Sequence, residues 1–208
     1  MMGRDDILRA LLIESERYLG KVARIAAPKM AQAIARLDHP AFPYPAAPRE
    51  PSCGYLDEAL AAIEDADQLV AAIEAARRHL HWITYDGYPR AEIGPRFPTA
   101  HAFAILTRMP GFELGLFLIA PRTLYRDHHH AAAEFYAPLT GPHRWRLGGG
   151  DWISLPAHLP VWNDPWAVHA TLTGESPLLC LYGWKGDIDA AAKVVHADDW
   201  AKIEASLD

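Results

Sequence analysis

Apolar residues recur at helical spacing through the first part of the chain. Over residues 5–37 they recur at intervals of three, four or seven positions, which predicts a buried helix face. The apolar positions on this face are Ile7, Leu11, Tyr18, Val22 and Ile25. Pro28 interrupts the pattern, so we expect two helices here rather than one.

A third helix is predicted over residues 57–80, where the apolar positions again repeat every three or four residues. A proline-rich stretch separates it from the earlier helices and predicts an extended loop. Its prolines are Pro40, Pro43, Pro45, Pro48 and Pro51. We therefore expect residues 1–80 to form a helical N-terminal extension that packs on the rest of the protein. This extension could also form the interface of a homodimer.

The pattern changes from about residue 81, where short β-prone runs begin. These runs cover residues 102–107, 113–119, 134–139, 143–147, 151–155, 167–172 and 178–184. Gly, Pro, Asn or Asp stands in most of the gaps between them. Several short strands at such spacing predict a mainly β fold, a sandwich or small barrel, over residues 81–208. The charged stretch at about 190–207 predicts a helical tail.

Composition and charge narrow the classes of partner. Half of the 208 residues are hydrophobic, 22% are charged, and the formal net charge is −6 at pH 7. A negative chain without a basic stretch is not expected to bind nucleic acid. No apolar stretch reaches the roughly 18 residues that a membrane span requires, so we expect no membrane partner.

The cysteines and the N-terminus point to a cytoplasmic protein. No long apolar run follows Met1, so no signal peptide is expected. Cys53 and Cys180 lack CxxC spacing and are too few for a disulfide framework. Two free thiols are typical of a protein in the reducing cytosol.

The segment Tyr125-Arg-Asp-His-His-His-Ala-Ala-Ala-Glu-Phe-Tyr136 carries the densest chemistry in the chain. As one regular strand it would direct His128, His130, Glu134 and Tyr136 to one face, because side chains alternate along a strand. Imidazoles and a carboxylate on one face suit a divalent metal such as Fe(II), Zn or Mn. The alternative, a solvated or tag-like histidine cluster, is disfavoured because the segment lies mid-chain between apolar strands.

The spacing His128-x-His130-x3-Glu134-x6-Gly141 resembles the first metal motif of the cupins, which are small double-stranded β-barrels. A second cupin-like element follows as Gly150-x5-Pro156 and then His169, in the place of a cupin's last ligand. The pattern departs from the usual one, with Arg122 and His158 at two positions that are glycine in most cupins. His158 is therefore a rival for the fourth ligand, and the strand predicted after His169 favours His169.

A longer pattern resembles the cupin-type dimethylsulfoniopropionate (DMSP) lyases. It combines Tyr125-x2-His128-x-His130-x3-Glu134-x-Tyr136 with His169 and a closing Leu-Tyr-Gly-Trp-Lys-Gly-Asp at 181–187. The resemblance implies a mainly β fold, with a C-terminal jelly-roll-like cupin barrel after an N-terminal helical extension. It implies cleavage of DMSP to dimethyl sulfide and acrylate. It also implies that the metal ligands are His128, His130, Glu134 and His169, and that Tyr125 and Tyr136 are the active-site tyrosines.

The chemistry of a β-elimination agrees with this resemblance. A metal that binds the substrate carboxylate would stabilise the developing enolate-like charge, and its charge would favour a nearby phenolate. Tyr136 is the first choice for the base, because it follows Glu134 by two residues on the same strand face, and Tyr125 is a second acid/base group or a gate. The His₃Glu donor set accepts Fe(II), Zn, Mn, Ni or Co. Core packing is the alternative role for each tyrosine.

The expected substrate, a small sulfonium carboxylate, also needs a binding site for its cationic sulfonium group. Aromatic faces attract such a group by cation–π interaction. The candidates are Trp162, Trp166, Tyr182 and Trp184, with Tyr85 and Tyr88 upstream. Packing in the barrel core is the alternative role for each of them.

Two other functions are compatible with the same residues. The ligand set would serve a different cupin enzyme, such as an Fe(II) dioxygenase or an isomerase acting on a small carboxylate. A non-catalytic binding module would not require the two tyrosines beside the ligands. The paired tyrosines favour the lyase.

Overall fold

A computed structural model of the chain describes residues 3–26, 49–88 and 90–207. Its helices are α1 (Arg4–Ala26), α2 (Leu56–Ala61), α3 (Asp67–Ala76), α4 (Arg90–Ile93) and α5 (Trp200–Ala205), with short 3₁₀ turns at Arg77–His79 and Phe97–Thr99. None of the helices within these ranges combines the length and the hydropathy that crossing a bilayer requires.

Helix α1 confirms the first predicted helix. Asp5 and Asp6 lie in its first turn, where negative charge is favourable for the helix dipole. Its apolar stripe includes Leu11 and Leu19, which are fully buried. The helix predicted after Pro28 and most of the proline-rich loop lie outside the described residues.

The single helix predicted over residues 57–80 is wrong, because the structure has two helices there, α2 and α3. The chain leaves the helical conformation after Ala62, and Asp65 adopts a left-handed backbone with φ +56°. Asp is one of the few residues that tolerate this conformation. The apolar spacing continues across the break, so periodicity alone does not reveal it.

Eleven strands are described, and they form two antiparallel sheets. They are β1 (Trp82–Ile83), β2 (His101–Met109), β3 (Phe112–Ile119), β4 (Leu124–His129), β5 (Ala133–Pro138), β6 (His143–Leu147), β7 (Trp152–Leu155), β8 (Val161–Asn163), β9 (His169–Leu172), β10 (Leu178–Lys185) and β11 (Lys193–Val194). One sheet has the order β1-β2-β3-β10-β5-β8 and the other the order β11-β4-β9-β6-β7. The mainly β prediction is confirmed, with two antiparallel sheets rather than one closed barrel.

The segment 125–136 is not the single strand that the alternation predicted. It forms β4 in the five-stranded sheet and β5 in the six-stranded sheet, and the chain crosses between them at residues 130–132. The predicted helical tail at 190–207 is also shorter in the structure, since strand β11 comes first and α5 covers only Trp200–Ala205. All seven predicted β runs occur as strands, with ends shifted by up to two residues.

The six-stranded sheet is buried on both faces. Its outer face packs against α1, α2 and α3 through side chains such as Leu114, Leu116 and Leu181. Its inner face meets the five-stranded sheet in a second core that is rich in aromatic residues. Strands β3 and β10 therefore read as near-continuous apolar runs, as strands with two covered faces do. The predicted boundary at residue 80 between the helical extension (1–80) and the barrel (81–208) stays a prediction.

Candidate metal centre and active site

Four of the predicted ligands converge in the space between the two sheets. One ligand atom from each of His128, His130, Glu134 and His169 lies within 4.8 Å of the others, and all four side chains are buried. His128 and His169 come from β4 and β9 of one sheet, Glu134 comes from β5 of the other, and His130 lies in the crossing between them. The cluster therefore joins the two sheets.

A bulge in β4 sets the direction of the first ligand. His128 pairs with His169 across β4 and β9, but the register shifts between Tyr125 and His128. In a regular strand, residues three apart face opposite ways, and the bulge removes this alternation. Tyr125 and His128 consequently stack, with ring centroids 4.0 Å apart. The spacing of the sequence does not reveal this contact.

Each histidine of the cluster is oriented by a backbone carbonyl. The Nδ1 atoms of His128, His130 and His169 lie 2.7 Å, 2.9 Å and 2.9 Å from the carbonyl oxygens of Arg126, Ala132 and Ala167. When Nδ1 donates to a carbonyl, Nε2 presents its lone pair, which is the usual arrangement of a metal-binding histidine. The Nε2 atoms of His128 and His169 then present lone pairs inside the cluster, and Nε2 of His130 forms a hydrogen bond of 3.1 Å with Oε2 of Glu134.

Two of these Nε2 atoms lack a hydrogen bond within the described part of the chain. They belong to His128 and His169 and are completely buried. Nε2 of His169 lies 3.0 Å from Oε2 of Glu134 without hydrogen-bond geometry. Two acceptors so close repel each other unless a cation lies between them, and buried polar atoms need a partner. The donor set fits a divalent transition metal.

The electrostatics of the cluster keep the carboxylate charged and one imidazole neutral. Burial alone would raise the pKa of Glu134, but the charge and hydrogen bond of His130 bring this pKa well below its usual range. Burial lowers the pKa of His128 well below 6.5, and the neighbouring His169 lowers it further. A charged carboxylate and a neutral imidazole are the forms that bind metals.

Trp184 holds the carboxylate in place. Its Nε1–H donates to Oε1 of Glu134 at 2.6 Å, which leaves Oε2 directed at the histidines. The ring of Trp184 also lies 4.5 Å from the ring of His130. Trp184 was predicted as a cation-binding aromatic residue, and its hydrogen bond to a candidate ligand was not foreseen.

A cavity of about 330 Å³ opens beside the cluster. Its wall includes Glu134, both candidate tyrosines and the predicted aromatic residues Tyr182 and Trp184. The cavity has the size and the mixed apolar and polar lining of a small-molecule site.

The two tyrosines occupy different positions in this wall. Burial raises the pKa of Tyr136 well above 10, and the negative charge of the nearby Glu134 carboxylate raises it further. The hydroxyl of Tyr125 lies 2.7 Å from that of Tyr88. Burial raises the pKa of Tyr125 as well, and the negative charge of Glu134 adds to this effect. Tyr136 is thus coupled to the cluster and Tyr125 to a second phenol.

Trp162 and Trp166, the other two predicted cation-binding residues, do not line the cavity. Trp162 packs against the core beneath the helices, because its neighbours in β8, Val161 and Asn163, point inwards instead. Trp166 is 53% exposed and lies beside the ring of His129. The structure brings together eight of the ten predicted site residues and leaves these two tryptophans outside.

The rival ligand His158 lies away from the cluster. Its Nδ1 is 2.7 Å from the hydroxyl of Tyr18 on α1, and it does not belong to the cluster of ligand atoms. His129 faces away from the cluster, as the alternation predicted. His143 is buried and accepts a hydrogen bond from the backbone N–H of Gly174 at 3.3 Å.

Sequence reasoning missed a polar group at another part of the cavity wall. Glu113 accepts hydrogen bonds from Tyr182 and Arg108, and Arg108 also donates to Asp189. All of these residues line the cavity. The signal was available, since Glu113 is the single charged residue in the apolar run of β3 (Phe112–Ile119).

The comparisons with known proteins agree with this geometry. The family model for dimethylsulfoniopropionate lyases matches residues 26–180. A crystal structure from work on the DMSP lyases RdDddP and RnDddQII superposes with a TM-score of 0.73 at 18% identity, covering 93% of this chain and 100% of that one. The crystal structure of DMSP lyase DddQ from Ruegeria pomeroyi DSS-3 gives a TM-score of 0.69 at 22% identity, covering 93% and 98%. No curated protein matches the chain.

At these identities the two crystal structures show a shared fold, and the family assignment depends on the sequence model. That model covers well over half of the chain and includes the segment with His128, His130 and Glu134. The chain therefore belongs to the dimethylsulfoniopropionate lyase family and is a carbon–sulfur lyase.

Proposed function

We propose that this protein cleaves DMSP by β-elimination, with Tyr136 as the base, to give dimethyl sulfide and acrylate. The observation that carries the proposal is the position of Tyr136, which follows Glu134 by two residues in β5 and lines the same cavity as this candidate ligand. A base at this place would lie beside the group that binds the substrate carboxylate. Membership in the DMSP lyase family supports the choice of substrate.

The reaction balances without an external oxidant or reductant. The base removes a proton from the carbon next to the carboxylate, and the electrons of that C–H bond form the C=C bond of acrylate. The C–S bond breaks, and its electron pair leaves with sulfur as neutral dimethyl sulfide. The protonated base returns its proton to solvent before the next turnover.

The residues that would hold the metal are His128, His130, Glu134 and His169. A divalent ion at these four groups would supply Lewis-acid stabilisation of the substrate carboxylate and a positive charge that favours the phenolate of Tyr136. The donor set is compatible with Fe(II), Zn, Mn, Ni or Co.

Tyr136 is favoured over Tyr125 for the base because of their partners. The Tyr125 hydroxyl forms a buried hydrogen bond of 2.7 Å with the Tyr88 hydroxyl, so it is engaged with a second phenol. Tyr125 stacks on His128 at 4.0 Å and would hold that ring in position. A role as second acid/base group or gate stays open for Tyr125.

An Fe(II) dioxygenase or an isomerase acting on a small carboxylate is the second candidate. It is supported by the same His₃Glu donor set, which suits such enzymes equally well. Two phenols in the cavity wall favour the lyase, because proton removal is central to elimination.

Headspace detection of dimethyl sulfide tests the proposal. Purified protein would be reconstituted with each candidate metal and incubated with DMSP, beside the variants Tyr136→Phe and Tyr125→Phe. We expect the wild type to release dimethyl sulfide. The rate should fall by about a hundredfold or more in Tyr136→Phe and by a smaller factor in Tyr125→Phe. An active Tyr136→Phe protein would move the base to Tyr125. If the wild type releases no dimethyl sulfide with any of the metals, DMSP is not the substrate.

A further inference from the structure

Four side chains form a row across the inner face of the six-stranded sheet. In the strand register, Glu134 of β5 stands opposite Trp184 of β10, Trp184 opposite Glu113 of β3, and Glu113 opposite Arg108 of β2. All four line the cavity. Neighbouring strands are about 4.8 Å apart, so the backbones of Glu134 and Glu113 are separated by roughly 10 Å. The row places a carboxylate at each side of the Trp184 ring.

Glu113 is built firmly into this wall. It is only 4% exposed, and its Oε1 accepts a hydrogen bond of 2.8 Å from the Tyr182 hydroxyl. Its Oε2 accepts from the Arg108 guanidinium. Burying a carboxylate costs several kcal/mol unless it is well paired, and the surrounding strand is otherwise apolar.

A glycine makes the contact with Tyr182 possible. A Cβ atom at Gly115 would lie 2.6 Å from Cε1 of Tyr182 and 2.6 Å from the backbone oxygen of Ala104. Because Gly115 has no side chain, the Tyr182 ring can lie against the strand and direct its hydroxyl to Glu113. Gly115 and the Tyr182 hydroxyl together fix the position of the Glu113 carboxylate.

The charges at this part of the wall do not cancel. Arg108 pairs with Glu113 and also with Asp189, whose side chain is 84% exposed. One guanidinium shared by two carboxylates leaves one negative charge in excess. The aromatic faces of Tyr182 and Trp184 lie in the same wall and also attract cations.

We infer that Glu113 is a specificity-determining residue that selects a substrate with a positively charged end. The inference rests on the proposed function, in which the cluster of His128, His130, Glu134 and His169 receives the carboxylate end. The cation then lies over the aromatic faces of Trp184 and Tyr182 and is attracted by the carboxylate of Glu113. The site distinguishes a cationic propionate from a neutral one of the same shape, and Glu113 contributes much of the difference.

A pair of isosteric ligands isolates the charge. 3-(Trimethylammonio)propionate and 4,4-dimethylpentanoate have the same shape and differ only in the cationic nitrogen. Their dissociation constants would be measured by calorimetry on metal-loaded wild type, Glu113→Gln and Arg108→Gln. Gln at position 113 keeps an oxygen that can accept from Tyr182, and thermal unfolding checks that each variant is folded.

We expect wild type to prefer the cationic ligand by about tenfold or more, the lower range for close charge pairs. Glu113→Gln should lose most of this preference while it binds the neutral ligand as wild type does. Arg108→Gln should increase the preference, because it removes the guanidinium that offsets Glu113. Opposite effects of the two variants distinguish an electrostatic role from a structural one, since loss of a structural ion pair would affect both variants alike.

The inference is overturned if Glu113→Gln retains the wild-type preference. That result would leave the proposed function standing whenever the wild type still releases dimethyl sulfide from DMSP. A wild type that neither cleaves DMSP nor binds either ligand would instead contradict the proposed function, and the inference with it.

Discussion

The two faces of the six-stranded sheet are both buried, yet they are built from different groups. Aliphatic side chains such as Leu116 and Leu181 dominate the outer face, which lies under the helices. The inner face carries Glu134, Glu113 and Tyr136, which all line the cavity. Buried polar groups must each have a partner, so the inner face depends on directed contacts, whereas the outer face depends on filled volume. The difference indicates that stability and chemistry are separated across one layer of strands.

Removal of one imidazole from the inner face should have the largest effect. His130→Ala deletes a ring that lies 3.1 Å from Glu134, so we expect metal affinity to fall by at least roughly a hundredfold. Activity should fall with it. Metal content by plasma mass spectrometry checks this prediction. His129→Ala is the matched control, because the neighbouring ring faces Trp166 instead of the cluster. Full metal occupancy in His130→Ala would count against the ligand assignment.

A truncation on the outer face should reduce stability without changing the chemistry. Leu116 is fully buried beneath the helices, and Leu116→Ala should lower the free energy of unfolding by about 2–5 kcal/mol. Denaturant unfolding gives the loss, and metal content of the folded variant should remain that of wild type. Ile13→Ala on α1, where the side chain is 41% exposed, is the control and should change stability little. Weakened metal binding in folded Leu116→Ala would show that the two faces are coupled.

A buried histidine on the inner face of the six-stranded sheet, His101, should make the stability of the protein depend on pH. Burial lowers the pKa of His101 to about 4, while its ring accepts a hydrogen bond from the Tyr85 amide at 2.9 Å. The unfolded chain binds this proton more tightly, so the contribution of neutral His101 is complete above about pH 6.5 and is lost as pH falls through 4. The full difference amounts to roughly 3 kcal/mol.

Unfolding of wild type and His101→Gln between pH 7 and 4 measures this contribution. Glutamine keeps a donor and an acceptor but does not titrate in this range, so stability of the variant should fall less as the pH is lowered. Parallel curves for the two proteins would mean that His101 does not contribute to the acid sensitivity.

The smallest effect is expected at Gly115, an inner-face position of β3 that lies against the Tyr182 ring. Gly115→Ala would bring a Cβ to 2.6 Å from both the Ala104 oxygen and the Tyr182 ring, and the resulting strain should cost about 1–3 kcal/mol. The displaced Tyr182 should also weaken its hydrogen bond to Glu113. Thermal unfolding, with the ligand pair described above, checks both effects. A fully stable variant with wild-type cation preference would contradict the role of Gly115.

The ligand set was predictable from the sequence because most of it is local. His128, His130 and Glu134 lie close together in the chain, and their spacing resembles a known motif. The expected single strand was wrong, but His128 and Glu134 still converge because β4 and β5 belong to sheets whose inner faces meet. Side-chain alternation gave the correct direction within β5 for Glu134 and Tyr136.

The missed features depend on register between distant strands. Glu113 reaches the cavity row only because β3 pairs with both β2 and β10, and no local pattern specifies this pairing. Tyr88 meets Tyr125 across a loop, and the β4 bulge is likewise invisible in the spacing. For Trp162, β8 has only three residues, too few for alternation to show which face is inward.

The division of the cluster between two sheets has a consequence for how the site assembles. His128, His130 and Glu134 are close in the chain, but His169 follows Glu134 by 35 residues and arrives only when β9 pairs with β4. Closing a long loop is slower and entropically more costly than forming local contacts. We therefore expect the three local donors to come together before His169 joins them. We expect the complete four-residue cluster to form only late in folding, when the two sheets have joined.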